Sequence, residues 1–166
     1  MDNENKTKVI IELVSAGAVL LGLIFVGLEL RQNQQMMRSQ IRNELSVGLN
    51  DVLLALASNE SLASAAARFE NSQEITPTDI EQIWTWENAI FRYWENVHYQ
   101  YRSDLYDEIE FTAQRRAWKQ ALTISRGHQY HWCGWRQNYS PEFRALMDGF
   151  VPAGVCEEFR VLGLID

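Results

Sequence analysis

The stretch LVSAGAVLLGLIFVGL, from Leu13 to Leu28, contains sixteen consecutive residues without a charge. Together with residues 9–12 the apolar run reaches about 20 residues and is interrupted only by Glu12. At a rise of about 1.5 Å per residue, a helix of that length spans roughly 30 Å, the thickness of the hydrocarbon core of a bilayer. A helix that is apolar on every face cannot lie half in water. The run therefore predicts a transmembrane helix over residues 9–30, preceded by a short tail, residues 1–8.

Two other structures are compatible with an apolar run near the start of a chain. A cleaved signal peptide would need a small-x-small cleavage site directly after the run, and Leu28–Gln32 (LELRQ) offers none. A helix buried in the core of a soluble domain could also be this apolar. We favour the membrane anchor, because the length of the run matches a bilayer.

Within the predicted span, Ala18 and Gly22 form a small-xxx-small pair on one face of the helix. Such a pair lets two helix backbones approach closely in a membrane, so it favours packing against a second helix. The alternative is that glycine is simply frequent in membrane helices. The expected partners are therefore the lipid bilayer and either a second copy of the chain, in a homo-oligomer, or another membrane-protein subunit.

The charges that flank the span determine its orientation only weakly. Lys6 and Lys8 precede it, whereas Arg31, Arg38 and Arg42 follow it, so the cations counted by the positive-inside rule nearly balance. We favour a single-pass protein with its soluble domain on the cytoplasmic side.

The predicted soluble domain, residues 31–166, is acidic. It contains 18 Asp and Glu against 13 Lys and Arg, a net charge of −5. A domain without surplus cations releases few counterions from a polyanion, so nucleic acid is not an expected partner. Its two cysteines, Cys133 and Cys156, match no zinc-ribbon spacing. We favour reduced, partly buried thiols, while the alternative is a disulfide if the domain faces an oxidising compartment.

The domain is predicted to be an all-α helical bundle that follows the transmembrane helix without a flexible linker. Apolar residues recur every three or four positions from Gln34 to Ala57, either as a continuation of the first helix or after a kink near Gln32–Gln35. Thr76 and Asp107 have the sequence context of helix N-caps, and the apolar tail Val155–Ile165 is expected to dock back on the bundle. The other predicted helices are Ser61–Phe69, Pro77 to a break at Ser103–Asp104, Asp107 to Gly127, His128–Asn138, and Ser140–Pro141 to Gly149.

Three stretches of the sequence carry a family resemblance. They are LIFVGLELRQN (Leu23–Asn33), FRYWENVHYQYRSDLYD (Phe91–Asp107), and the aromatic residues Trp132 and Phe143 with Ser140-Pro141-Glu142 between them. In these stretches the chain resembles a widespread group of uncharacterised bacterial membrane proteins. The resemblance covers most of the chain and implies one N-terminal anchor in the bacterial inner membrane and a small helical domain. It supplies no activity and no catalytic residues.

Polar side chains interrupt the aromatic-rich helix that begins at Pro77. Glu87 lies on the apolar stripe of this helix, and a buried carboxylate requires a partner, for which Arg92, Arg115 or Arg116 are available. The residues predicted to form a buried polar network are Glu87, Arg92, Glu95, Asn96 and Arg102. A structural ion-pair network is the favoured interpretation, and a pocket for a polar ligand is the alternative.

Two spacings permit metal chemistry, but neither is complete. Glu95-x-x-His98 has the spacing of a di-iron ligand pair, although no second Glu-x-x-His follows it. His128, His131 and Cys133 are close in sequence but match no zinc signature. We therefore predict no metal, no cofactor and no catalytic residue, and we do not expect an enzyme.

Aromatic residues are concentrated in the middle of the domain, where the range from Ile83 to Phe143 holds 15 of the 19 Phe, Trp and Tyr residues. We expect a compact aromatic core. Together with the anchor, this favours a membrane-anchored structural or interaction protein that self-assembles or acts as an accessory subunit of a membrane complex. The alternative is a membrane-associated binding module for a lipid, pigment or other apolar ligand, and a metalloenzyme is the third hypothesis.

Overall fold

A computed structural model describes the backbone of residues 3–165 and the side chains of residues 5–165. Every regular element in this part of the chain is helical, which confirms the all-α prediction. The helices are α1 (Asn3–Ser58), α2 (Glu60–Glu70), α3 (Pro77–Arg102), α4 (Glu108–Ile124), α5 (Arg126–Trp135), α6 (Pro141–Asp148) and α7 (Val155–Val161), with a 3₁₀ turn at Arg136–Asn138. The chain divides into two units, Met1–Gln40 and Ile41–Asp166.

The first unit consists of the N-terminal part of α1, which is long and apolar enough to cross a membrane. Three consecutive apolar residues, Val19, Leu20 and Leu21, are 63%, 60% and 69% exposed. Because consecutive residues on a helix point about 100° apart, these values show that apolar side chains are exposed on all sides of this segment. Among the described residues, none in the most apolar 18-residue stretch of α1 is buried. The helix is unbroken at residues 32–35, so of the two predicted alternatives the continuous helix is observed.

In the second unit α3 packs against α2, α4 and α5 and carries much of the core. Two clusters of buried side chains fill the unit. The larger cluster contains Leu45, Ile90, Phe91, Trp94, Val97, Phe111, Trp118, Leu122, Trp132, Tyr139, Phe143 and Met147, and the smaller contains Ala65, Phe69, Ile83, Tyr130 and Phe159. Fully burying one large apolar side chain stabilises a fold by roughly 1.5–3 kcal/mol. These clusters confirm the predicted aromatic core.

The predicted helix starts are observed at the two caps. The Thr76 hydroxyl accepts from the backbone N–H of Asp79 (3.2 Å), and the Asp79 carboxylate accepts from the N–H of Thr76 (2.8 Å), which completes a capping box. Asp107 caps α4 by accepting from the N–H of Ile109 at 2.8 Å. Asp107 and Glu110 have the sequence spacing of a second capping box, but in the described contacts the carboxylate of Glu110 forms an ion pair with Arg42 at 2.8 Å instead.

The prediction that Gly127 ends the fourth helix is wrong. The fourth helix, α4, ends at Ile124, and Gly127 lies in the first turn of α5. A Cβ atom at position 127 would lie 2.6 Å from Oε1 of Glu87. The absence of a side chain at Gly127 therefore allows a carboxylate from α3 to approach closely, and the glycine does not mark the end of a helix.

The C-terminal segment docks back on the bundle, as predicted, and it brings the two cysteines together. Phe159 on α7 is fully buried against Tyr130 on α5. The same packing places Cys133 and Cys156 with their Cα atoms 5.2 Å apart, and their sulfur atoms form a disulfide. The favoured expectation of two reduced thiols is therefore not met. Residues separated by 23 positions become neighbours only when α7 folds back on α5.

Candidate functional site

The most deeply buried acidic group of the domain is Glu87, whose exposure is 2%. Its partner is His128 on α5, whose Nδ1 lies 2.9 Å from Oε2 and 3.0 Å from Oε1 of the carboxylate. Burial raises the pKa of Glu87, and the nearby His128 opposes that rise. The prediction of a buried acid with a partner is confirmed, but the partner is a histidine 41 residues away rather than one of the three arginines.

A second carboxylate, that of Glu70 at the end of α2, supports this pair from outside. The backbone N–H groups of Arg126 and Gly127 donate to Glu70 at 2.8 and 3.0 Å, and the hydroxyl of Ser125 donates at 2.6 Å. The first backbone N–H groups of a helix have no acceptor within the helix itself, and the helix dipole also favours a negative charge at this end. Glu70 thus holds the first turn of α5, and with it His128, against α2.

The group of Ser125, His128 and Glu87 differs from a catalytic triad in one decisive respect. In a triad the serine and the acid contact opposite nitrogens of the imidazole, so that the ring can accept a proton on one side while it is held on the other. Here the Ser125 hydroxyl and the Glu87 carboxylate both approach Nδ1 of His128, at 3.2 and 3.0 Å. The geometry suits a buried structural polar cluster, and it does not suit nucleophilic catalysis.

A second buried histidine on α5, His131, is fully enclosed and belongs to a separate contact. Its Nε2 lies 2.7 Å from the hydroxyl of Tyr139, and its ring stacks on Phe91 and Trp135. Burial is the main cause that lowers the pKa of His131 to about 3. The imidazole is therefore neutral at neutral pH, and it functions as an aromatic core residue with one polar contact.

The remaining members of the predicted polar network lie near the surface. Arg92, Asn96 and Arg102 are exposed and Glu95 is half-buried, so the prediction of burial is correct only for Glu87. These residues lie on a different face of α3 from the apolar stripe that carries Glu87. They line a polar cleft of about 340 Å³.

The exposed part of this network fastens α6 to α3. Glu95 pairs with Arg92 at 2.8 Å and accepts from the backbone N–H of Ser140 at 2.7 Å, directly before α6. Arg102 pairs with Glu142 on α6 at 3.2 Å, and Asn96 accepts from Gln100 at 3.2 Å. The favoured interpretation of a structural ion-pair network agrees with these contacts.

An apolar cleft of about 510 Å³ lies between the C-terminal part of α1, the start of α2 and the N-terminal half of α3. Sequence reasoning did not single it out, because its walls come from three separate helices. Its apolar lining includes Val52, Ala55, Leu62 and Trp86. The indole Nε1–H of Trp86 donates to the backbone carbonyl of Val52 at 3.0 Å, which fixes the orientation of the ring.

Two of the candidate metal ligands, Cys133 and His98, make other contacts. Cys133 is part of the disulfide, so it offers no thiolate, and His98 lies against Phe111 and Phe143. In the part of the chain that the structure describes, no group of three or more His, Cys, Asp or Glu side chains is arranged to hold a metal ion.

The residues predicted to support helix packing, Ala18 and Gly22, are exposed on the described part of α1. A Cβ atom at Gly22 would meet nothing within 4 Å. This face is therefore open to a neighbouring helix or to lipid. Comparison of the chain with protein-family models, curated proteins and solved structures finds no match.

Proposed function

We propose that the protein is a single-pass membrane protein of a non-enzymatic kind, which anchors a helical interaction domain at the bilayer and assembles through its anchor. The observation that supports this most is the apolar segment of α1, whose side chains are exposed on all sides in the described chain. Apolar surface of this extent is unfavourable in water, so it calls for lipid or a protein partner. The resemblance noted from the sequence gives the bacterial inner membrane as the expected location.

Assembly is proposed to use the face that carries Ala18 and Gly22. A small-xxx-small pair permits close approach of two helices, which are then held by van der Waals packing in the membrane. The partner is a second copy of the chain or a subunit of a larger membrane complex. In either case a large side chain at position 22 would separate the two backbones.

The chain offers a matched control for testing this face. Gly22→Leu places a large side chain on the Ala18–Gly22 face, whereas Gly27→Leu makes the same chemical change about 160° away around the helix. In the described chain neither added Cβ meets an atom within 4 Å. We expect Gly22→Leu, but not Gly27→Leu, to reduce the native size or the co-purified partner in mild detergent. A wild-type protein that is monomeric and partner-free in native-membrane extracts would refute the assembly proposal.

The disulfide bears on which side of the membrane the domain occupies. Structural disulfides persist in oxidising compartments and are rare in the cytosol, so the Cys133–Cys156 bond favours the non-cytoplasmic side. We therefore propose the opposite orientation to the one favoured from the flanking charges, which nearly balance. C-terminal fusions to alkaline phosphatase and to green fluorescent protein would separate the two orientations. An inactive phosphatase fusion together with a fluorescent one would overturn this proposal.

A second candidate function is the binding of an apolar ligand, and the cleft beside Trp86 favours it. Its volume of about 510 Å³ falls within the range of about 300–1,000 Å³ that is usual for small-molecule sites. Mass spectrometry of protein gently extracted from its native membrane would reveal a bound lipid, pigment or other molecule. Protein that is consistently ligand-free, and that binds no apolar probe, would remove this candidate.

A further inference from the structure

The cleft beside Trp86 has an acidic edge in addition to its apolar wall. Asp51 on α1 and Glu81 on α3 both contribute to the lining, and none of the described residues that line the cleft is basic. Both acids are exposed. Neither forms an ion pair with another described residue, whereas two other clefts of the domain are lined by both arginine and glutamate side chains. An occupant would therefore meet an apolar floor and two uncompensated negative charges.

The fixed indole of Trp86 adds a third element to the cleft. Because its Nε1–H is bonded to the carbonyl of Val52, the ring is held in place before any ligand arrives, and little side-chain entropy is lost on binding. The face of an indole ring attracts a cation as well as an apolar group. The wall and the edge of the cleft thus favour the same kind of molecule.

These features discriminate between the ligand classes. An anionic amphiphile would bring its head group next to Asp51 and Glu81 in a domain that is already acidic, and like charges repel. A neutral apolar molecule would gain binding free energy only from contact with the apolar wall. A molecule with an apolar body and a protonated amine or quaternary ammonium gains from both.

We infer that the cleft between α1, α2 and α3 is a binding site for a small amphiphilic cation, with its apolar body against Trp86 and Leu62 and its cationic group between Asp51 and Glu81. This inference rests on the second candidate function, the binding of an apolar ligand, and it is independent of assembly through the anchor. It names the chemical class of the ligand.

The experiment uses the full chain in lipid nanodiscs and three probes that share one apolar body. The probes are 4-phenylbutylamine, 4-phenylbutan-1-ol and 4-phenylbutyrate, which are cationic, neutral and anionic at pH 7. Binding is measured by saturation-transfer NMR against empty nanodiscs of the same lipid, which corrects for partition into the bilayer. We expect the amine to bind most tightly and the carboxylate most weakly.

Three variants locate the site. Ala55→Trp fills the cleft and is expected to abolish binding of the amine. Asp51→Asn combined with Glu81→Gln is expected to lower the binding affinity for the amine by about three- to tenfold, which is the effect of losing two exposed ion pairs. The affinity for the alcohol should stay unchanged. Glu74→Gln combined with Glu157→Gln removes two exposed acids that do not line the cleft, and it should leave binding of the amine unchanged.

The outcomes separate the two levels of the proposal. Equal binding of all three probes that is lost in Ala55→Trp would overturn the cationic specificity and leave an apolar site. Binding of no probe, or binding that Ala55→Trp does not alter, would overturn both the specificity and the cleft as a ligand site. Preference for the carboxylate would contradict the role assigned to Asp51 and Glu81.

Discussion

Nδ1 of His128 is hydrogen-bonded to Oε1 of the Glu87 carboxyl group at 3.0 Å and lies 2.9 Å from Oε2, inside the helical domain. The two side chains come from α3 and α5, so the contact joins the centre of the bundle to the helix that carries the disulfide. A buried carboxylate without a partner would be strongly destabilising, whereas a paired one is tolerated. The pair therefore links α5 to α3 in the interior of the domain.

The first prediction concerns Glu87→Gln and pH. Burial raises the folded-state pKa of Glu87 above its ordinary value of 4.5. The neutral, protonated carboxyl group is therefore favoured in the folded state. Its contribution to the free energy of unfolding is largest below the unfolded-state pKa and is lost as the pH rises through the raised folded-state pKa. Glutamine does not titrate, so we expect Glu87→Gln to gain stability relative to wild type as the pH rises from 4 towards 8. Urea unfolding at several pH values measures this difference, and a difference that is constant or that falls with pH would contradict the prediction.

The second prediction concerns His131→Phe. The variant loses the contact to the Tyr139 hydroxyl, which at pH 7 should cost about 1–3 kcal/mol. Because burial lowers the pKa of His131 to about 3, wild type loses stability as the pH falls from about 6.5 towards 3, by up to roughly 1.4 kcal/mol per unit. The deficit of the variant should therefore shrink at acidic pH.

Tyr139→Phe is the matched control for His131→Phe. It removes the same 2.7 Å contact but keeps the titrating imidazole. Its deficit in unfolding free energy should stay nearly constant between pH 7 and pH 4. If both variants follow the same pH profile, the buried imidazole is not the source of the acid sensitivity.

The third prediction compares two glycine-to-alanine changes in helices. At Gly127 the new Cβ would lie 2.6 Å from Oε1 of Glu87, so the variant must displace the buried pair and should lose about 1–3 kcal/mol. At Gly48 the nearest atom lies 4.0 Å away, in the ring of Tyr93, so alanine should stabilise by about 0.5–1 kcal/mol through helix propensity. Thermal unfolding in detergent compares the two, and equal effects of the two variants would argue against the close contact at Gly127.

The fourth prediction concerns the disulfide. A bond between residues separated by 23 positions restricts the unfolded chain, and its removal in the Cys133→Ser, Cys156→Ser double variant should cost about 2–4 kcal/mol. Reductant should lower the unfolding temperature of wild type and leave that of the double variant unchanged. Mass spectrometry without reductant should find the linked peptides. Alkylation of both thiols in unreduced, freshly extracted protein would disprove the bond.

The sequence allowed good prediction of features that depend on local chemistry. Thr76, Pro77 and Asp79 are adjacent, and their preference for a helix start is expressed within one turn. The apolar helical segment at Leu13–Leu28 can likewise be predicted without reference to any other part of the chain. The aromatic core was predictable because large rings at helical spacing bury themselves in most arrangements.

The remaining features depend on contacts between distant segments. Arginines are the usual counter-ions of a buried acid, and nothing in the sequence around His128 marks it as the partner of Glu87, 41 residues away. The role of Gly127 is hidden in the sequence for the same reason, since a glycine near the end of a helical pattern normally indicates a helix terminus. The disulfide and the cleft beside Trp86 similarly require helices to be placed before their residues meet.

The carboxylate of Glu70 has a consequence for how the domain folds. Two backbone donors of the first turn of α5 bind a side chain more than 50 residues earlier in the chain, so that turn is completed only after α2 has arrived. Formation of α5 should therefore be a late and cooperative event. The isolated peptide Arg126–Trp135 should remain largely unstructured, and Glu70→Gln should mainly speed unfolding and leave the refolding rate nearly unchanged.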